Sequence, residues 1–262
     1  MAKRSRCWNQ SLFEKYLREG RGRGNGPGYT PWIRIQDFAS KGVVSRVKGR
    51  TTGRVHHLMS NNELAYFYLL DWSDNVLDIR EQYPLLDLEC AMNTAAQAGI
   101  NYPVDRASGY PYVMTCDFLV TTVQGFKART VKHSSELANS RTLEKLEIER
   151  RYWDRQNIEW KLVTENEIDY RKAKNIEWLY SGQSMNGIDT LSGDFNLALD
   201  FLKRVYSTTH LPILEIVKMI EDEFSYTAGF GIAIFKNLVL QRGIEIELSN
   251  AICLKKPRAE VA

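Results

Sequence analysis

Wound at 100° per residue, the apolar positions of Ser60-Asn61-Asn62-Glu63-Leu64-Ala65-Tyr66-Phe67-Tyr68-Leu69-Leu70-Asp71-Trp72 surround the axis, which predicts a buried helix opening at Ser60. Tyr112 to Val123 is an apolar run that reads as a strand, with Gln124-Gly125 as a turn and Lys127 to Lys132 as the returning strand. Val76 to Arg80 and Trp160 to Thr164 read as further strands. Trp32 to Ile35 and Val43 to Val47 read as short strands or extended segments. A short helix is expected near Leu12 to Leu17, a looser stretch from Tyr83 to about Tyr110, and a charged helix from a Ser140 cap to about Gln156. On that helix Leu143, Leu146 and Trp153 share a face, on which Arg150 also falls, with Glu149 at its edge. These elements predict an α/β domain ending near Glu165. Helical stretches near 170–180, 195–206, 211–222 and 227–240 follow. The alternating Gly243-Ile244-Glu245-Ile246-Glu247-Leu248 then reads as a strand, and helices closing with a β element fit a small, mainly helical winged-helix-like domain. The expected organisation is an N-terminal arm (1–28), an α/β domain (29–165) and a C-terminal domain (166–262).

Composition changes this picture little. The 262 residues are 44% hydrophobic and 26% charged, ordinary for a soluble protein, and no apolar run is long enough to span a bilayer. Met1 to Arg6 is charged with no apolar run after it, so no secretory signal is read. Cys7, Cys90, Cys116 and Cys253 are scattered without a CxxC pair. That argues against a zinc knuckle and a disulfide framework, and makes a reducing cytoplasm the expected compartment.

Charge adds more. Residues 1–60 carry 13 Lys and Arg against Glu14, Glu19 and Asp37, while the rest of the chain is net acidic. The Gly/Arg-rich segment Arg18 to Gly28 cannot hold a packed helix or strand. Arg21, Arg23, Lys48, Arg50 and Arg54 are candidates to lie along phosphates. A solvated arm is the other reading.

The candidate chemistry centres on Asp117, the one charged residue between Arg106 and Lys127. Aspartate is depleted in strands, and a buried carboxylate needs a cation or several donors. A Gln124-Gly125 turn would set Val123 across from Phe126 and therefore Asp117 across from Lys132, with Thr130 on the same face. A plain cross-strand salt bridge would also fit. Glu63 has two readings: Ser60 to Glu63 is a capping box, and the same glutamate lies on the stripe of Phe67 and Leu70, pointing inward. Arg150 on an apolar stripe calls for a carboxylate or a DNA phosphate. His56 and His57, adjacent on an extended segment, point opposite ways. Joint metal ligation is therefore disfavoured, and surface or DNA contact is expected. No Walker A loop, GxGxxG or nucleophile elbow is present.

Phosphodiester hydrolysis needs an activated water and neutralised phosphate charge, which Mg²⁺ held by a few carboxylates supplies, with a lysine orienting the water. Asp117, Glu63 and Lys132 suit that task. The chain resembles the TnsA family, the endonuclease subunit of heteromeric seven-type transposons. The likeness rests on Gly53-Arg54-Val55-His56-His57-Leu58, the Glu63 helix, Val76 to Leu86, Thr115 to Val120, Val131-Lys132, Arg141 to Trp153 and Asn175 to Tyr180. It covers roughly residues 10–180. The resemblance implies a restriction-endonuclease-like catalytic domain, a small winged-helix-like domain and cleavage of the 5′ strands at transposon ends in a bacterial, DNA-associated setting. It implies Mg²⁺ (or Mn²⁺) as cofactor, with two ions bound. The implied partners are transposon-end DNA, an integrase-type transposase subunit and an AAA+ ATPase regulator that meets the C-terminal domain, with no membrane. By position it makes Glu63 and Asp117 metal ligands and Lys132 the catalytic lysine. Val131 offers its carbonyl and Glu149 is an acid near the metal. Thr130 stands where the family commonly has Gln. A catalytically silent DNA-binding scaffold and a stand-alone restriction-type nuclease are the alternatives.

Overall fold

The computed structural model describes residues 7–37, 43–182 and 193–257. Helix α1 (Gln10–Arg18) starts where the Asn9 side chain accepts from the Leu12 amide. An antiparallel hairpin of β1 (Ser45–Lys48) and β2 (Val55–Leu58) leads into α2 (Asn61–Trp72), whose cap is the Ser60 hydroxyl. A four-stranded sheet follows in the spatial order β3 (Val76–Pro84), β4 (Thr115–Thr122), β5 (Gly125–Val131) and β6 (Glu159–Val163). Its first three strands are antiparallel neighbours. The last pair is parallel, so β5 and β6 are joined by a helical crossover, α4 (Ser140–Asp154). Leu85, Ala91, Cys116, Leu119, Ala128, Tyr152 and Trp153 form one core cluster. The α/β domain expected from the sequence is thus present.

Four local expectations are corrected. The stretch read as loose contains α3 (Leu88–Gln97), whose buried residues Ala91, Thr94 and Ala95 are too small to register as an apolar stripe. The cap of α4 is Asn139, not Ser140; its side chain accepts from the amides of Arg141 and Thr142. Trp32 to Ile35 is not a strand, because the indole of Trp32, 2% exposed, is drawn into an aromatic cluster with Trp8, Phe13 and Tyr16. The hairpin turn lies one residue earlier than expected, at Val123-Gln124. Thr122 pairs with Gly125, where the Thr122 hydroxyl donates to the Gly125 carbonyl (2.9 Å) and the backbone takes φ +113°, which glycine tolerates.

The Gly/Arg-rich segment also differs from the expected arm. Trp8 donates through Nε1 to the Pro111 carbonyl (2.8 Å), and Arg21 donates to the Trp32 carbonyl (3.0 Å) and pairs with Asp37 (2.6 Å). A Cβ on Gly22 would lie 2.3 Å from Pro84 Cγ, so this loop lies directly against the end of β3. A segment poor in regular structure is nonetheless fixed by ion pairs and aromatic contacts. Met1 to Arg6, the start of the expected arm, lies outside the described residues.

The chain divides into two compact units, Met1–Ile168 and Asp169–Ala262. The second is mainly helical, as expected: α5 (Tyr170–Tyr180), α6 (Gly193–Thr208), α7 (Ile213–Glu223) and α8 (Phe230–Leu240). Residues 243–248 do not form the expected strand. Their alternation survives, with Ile244 and Leu248 buried and Glu245 and Glu247 exposed, but no strand pairs with them among the described residues. Carbonyls in and just after this segment are used by side chains instead: Asn175 donates to Leu248 and to Asn250 beyond it (2.7 Å each), and Tyr206 to Glu245 (3.3 Å). No helix among the described residues is long and apolar enough to cross a membrane.

Candidate active site

The C-terminal ends of β3 and β5 and the start of β4 meet at one end of the sheet. The β4–β5 ladder pairs Phe118 with Arg129 and goes no further. One more step in this register puts Asp117 across from Thr130, not Lys132 as expected. Moving a turn by one residue displaces the pairing by two, which preserves the face, so Lys132 still reaches Asp117. Beyond the ladder the Asp117 carboxylate takes over. Its Oδ2 accepts from the Val131 amide (2.7 Å) and from Lys132 Nζ (3.1 Å). Lys132 Nζ also donates to the Val131 carbonyl (2.9 Å).

Glu63 is buried and forms half of the expected capping box, its carboxylate taking the Met59 amide in place of the Ser60 amide. Its amide donates to the Ser60 hydroxyl (3.1 Å), and its carboxylate accepts from the Met59 amide (3.0 Å) and the Ser60 hydroxyl (3.1 Å). The same Oε2 that holds Met59 also faces Gln82 Nε2 at 3.4 Å, and that amide group lies 3.4 Å from Asp117 Oδ1. One side-chain amide thus spans the two carboxylates. Gln82 is buried and sits at φ +48° within β3, a left-handed conformation costing about 1–3 kcal/mol for a residue with a side chain. Nothing in the sequence marks it except an unbroken polar run, Arg80-Glu81-Gln82, inside an apolar strand.

Glu149 joins from α4. The Thr130 hydroxyl donates to it, and Trp160 Nε1 donates from 3.1 Å. The sequence placed Glu149 at the edge of the apolar face and Arg150 on it. The structure rotates that face: Leu146, Ile148, Glu149, Tyr152 and Trp153 are buried, while Arg150 is exposed and pairs with Glu147 (2.8 Å). The two adjacent aromatics fix the rotation, since both need burial.

The electrostatics are unbalanced. Burial and the neighbouring Asp117 push the Glu63 carboxyl up to about 8. Burial and Asp117 push Glu149 up to about 7 against the hydrogen bonds from Thr130 and Trp160. Burial disfavours the Lys132 ammonium, but Asp117, Glu149 and Glu63 outweigh it and hold the group above its ordinary value. Beside the Asp117–Lys132 pair, two buried acids are thus held toward their neutral forms, and a cation bound among them would favour their ionised forms. Among the described residues no group of three or more His, Cys, Asp or Glu side chains could enclose a metal by itself. The donors present are the Glu63–Asp117 pair and the Val131 carbonyl, all oxygen. That set fits a hard ion retaining most of its water, as Mg²⁺ does.

Of the phosphate-contact candidates, the structure withdraws three. Arg21 is 6% exposed and committed to Glu19 and Asp37. Arg54 forms a two-pronged pair with Glu81, and His56, fully buried, lies between Glu81 (2.8 Å) and Thr52 (2.7 Å). Arg23 and Lys48 are exposed. Arg50 is half-buried, its amide held by Asp71 (2.7 Å).

Two family models match the chain: "TnsA-like endonuclease N terminal" over residues 73–165 and "TnsA endonuclease C terminal" over residues 167–248. The Transposon Tn7 transposition protein TnsA of Escherichia coli is 45% identical over 184 residues, covering 69% of this chain and 66% of that protein. The match therefore spans slightly under two thirds of that relative's own length.

Proposed function

The chain belongs to the TnsA endonuclease family, and from that premise we propose that it is a metal-dependent DNA endonuclease cutting the 5′ strands at transposon ends. One observation carries this reading. Asp117 takes Lys132 and the Val131 amide on one oxygen and, on the other, the Gln82 amide that also faces the buried Glu63 carboxylate, at the point where the strand ladder stops. A purely structural aspartate needs only its donors, whereas this one, besides its donors, has two further buried acids beside it, Glu63 and Glu149.

Glu63, Asp117 and the Val131 carbonyl would hold Mg²⁺ or Mn²⁺, as one or two ions, which would supply an activated water and a counter-charge for the phosphate. The chain's own residues do the rest. Asp117, fixed by the Val131 amide on one oxygen, would offer the metal its other oxygen, which faces the Gln82 amide. Lys132, kept protonated by its acidic neighbours, orients the nucleophile and neutralises charge that builds on the phosphate oxygens. Thr130 acts through Glu149, to which its hydroxyl donates, and the pair closes the site's far side. Exposed Arg23 and Lys48 are candidate phosphate contacts. The proposed partners are an integrase-type transposase subunit and an AAA+ regulator engaging the C-terminal unit.

The test is strand-specific cleavage of transposon-end DNA with Mg²⁺ and those partners. Asp117→Ala should lose 5′-strand cleavage by at least about a thousandfold, the scale set by losing a centre of charge stabilisation, while still folding. Normal 5′ cutting by that variant would sink this site assignment.

A further inference from the structure

A cavity of about 370 Å³ opens beside the carboxylates, and the chemistry described so far leaves it unused. One wall is the site itself, Thr130, Lys132 and Glu149. Tyr112, Met114 and Leu146 add apolar surface to the lining. Lys145 completes the lining from α4, one turn before Glu149 and therefore on the same helical stripe.

Two features point to a ligand. The first is Lys145, which is exposed and has no ion pair among the described residues, although acids surround it. Glu144 is held by Arg141 (2.6 Å), Glu147 by Arg150 and Arg151, and Glu149 by Thr130 and Trp160. Glu136, at the cavity's rim, accepts from the His133 amide (3.2 Å). The second is Tyr112, whose ring is fixed before any ligand arrives. It stacks on Trp8 at 6.2 Å and 21°, and its hydroxyl donates to Asp105 (2.8 Å). A pre-positioned aromatic ring, an uncommitted ammonium and a phosphodiester site side by side match the three parts of a nucleotide: base, backbone phosphate and the neighbouring reacting phosphate.

We propose that this cavity binds one unpaired nucleotide of the DNA strand passing through the carboxylate site, its base on the Tyr112–Met114 wall and its phosphate on Lys145. The volume suits one nucleotide. A base within a duplex has both faces covered by its neighbours and cannot enter a concave cavity, so the nucleotide leaves the stack or comes from a frayed end. This inference rests on reading the adjacent site as a nuclease centre.

The test uses the full chain, methyl-labelled at methionine, titrated in metal-free buffer with the 5′-phosphorylated dinucleotide pdTpdT. The Met114 methyl signal, identified by Met114→Leu, should move on titration. Lys145→Ala, on an exposed helix position, should weaken binding about tenfold and reduce the salt dependence by about 0.7 in log–log slope, one single-strand phosphate contact. Asp117→Asn should bind as well as the wild type or better. An unmoved Met114 signal, or unchanged affinity in Lys145→Ala, overturns the cavity assignment. Loss of all DNA cleavage in the wild type with its partners, alongside an intact Met114 response, would instead count against the nuclease reading alone.

Discussion

Glu81 and Gln82 are consecutive on β3, yet their side chains enter two buried polar regions of opposite electrostatic character. Around Glu81 the charges balance. Arg54 grips both oxygens, His56 and the His57 amide add hydrogen bonds, and these donors outweigh burial to hold the carboxyl down at about 2. Around Gln82 they do not: Glu63, Asp117 and Glu149 share Lys132, and Glu63 is pushed up to about 8. Both regions are removed from water to a similar degree, so burial alone does not set the direction of a shift. The partners set it. A region that has satisfied its own charges is built to hold chain together, and one that has not is built to receive something.

Neutralising each centre should separate them most. Glu81→Gln leaves the Arg54 guanidinium buried with much of its counter-charge gone, an expected loss of about 3–5 kcal/mol in urea unfolding. Glu63→Gln removes a charge its surroundings already disfavour, so at pH 8 without metal it should be neutral or stabilising. A comparable loss for Glu63→Gln would erase the distinction.

The pH dependence should differ in sign. The folded-state value of Glu63 lies above its ordinary 4.5, so its contribution is complete below 4.5 and is lost as pH rises through about 8. Glu81 lies below 4.5, so its contribution is complete above that value and is lost as pH falls through about 2. Metal-free chain should therefore lose stability between pH 5 and 8, and Glu63→Gln should flatten that slope. A flat wild-type profile would contradict the charge imbalance.

Gln82→Gly probes the boundary between the two regions. Glycine relieves the φ +48° backbone but loses the amide spanning the carboxylates. Stability should change by less than about 1 kcal/mol while cleavage falls about tenfold; unchanged cleavage would make Gln82 a bystander. The smallest effect is expected outside both regions. Arg150→Ala removes only a solvent-exposed pair with Glu147 and should alter stability by no more than about 0.5 kcal/mol, read by the same urea midpoint.

Much of this arrangement was legible in the sequence where the signal is local and periodic. The helix from Ser60, the hairpin, the charged helix and the four C-terminal helices announce themselves through runs of ten or more residues. The convergence of Asp117, Thr130 and Lys132 on one face followed from strand alternation, and it survived a misplaced turn because the displacement was even. What was hidden depends on distant partners. Arg54 and His56 looked like DNA contacts because Glu81, which captures them, lies 25 to 27 residues away. Arg21 was hidden in the same way by Asp37. Helix α3 was obscured by its alanines, and Gln82 by a backbone conformation that no residue type announces.

The Trp8 indole bonded to the Pro111 carbonyl has a consequence for synthesis of the chain. The two residues are 103 apart in sequence. A ribosome adding about 5–20 residues per second therefore needs roughly 5–20 s between delivering the first and the second. Through that interval Trp8, Phe13, Tyr16 and Trp32 lack Tyr110, Tyr112 and Val113, the residues that later cover them. These aromatic residues thus emerge well before the residues that cover them and settle late, open to a chaperone's cover through that interval.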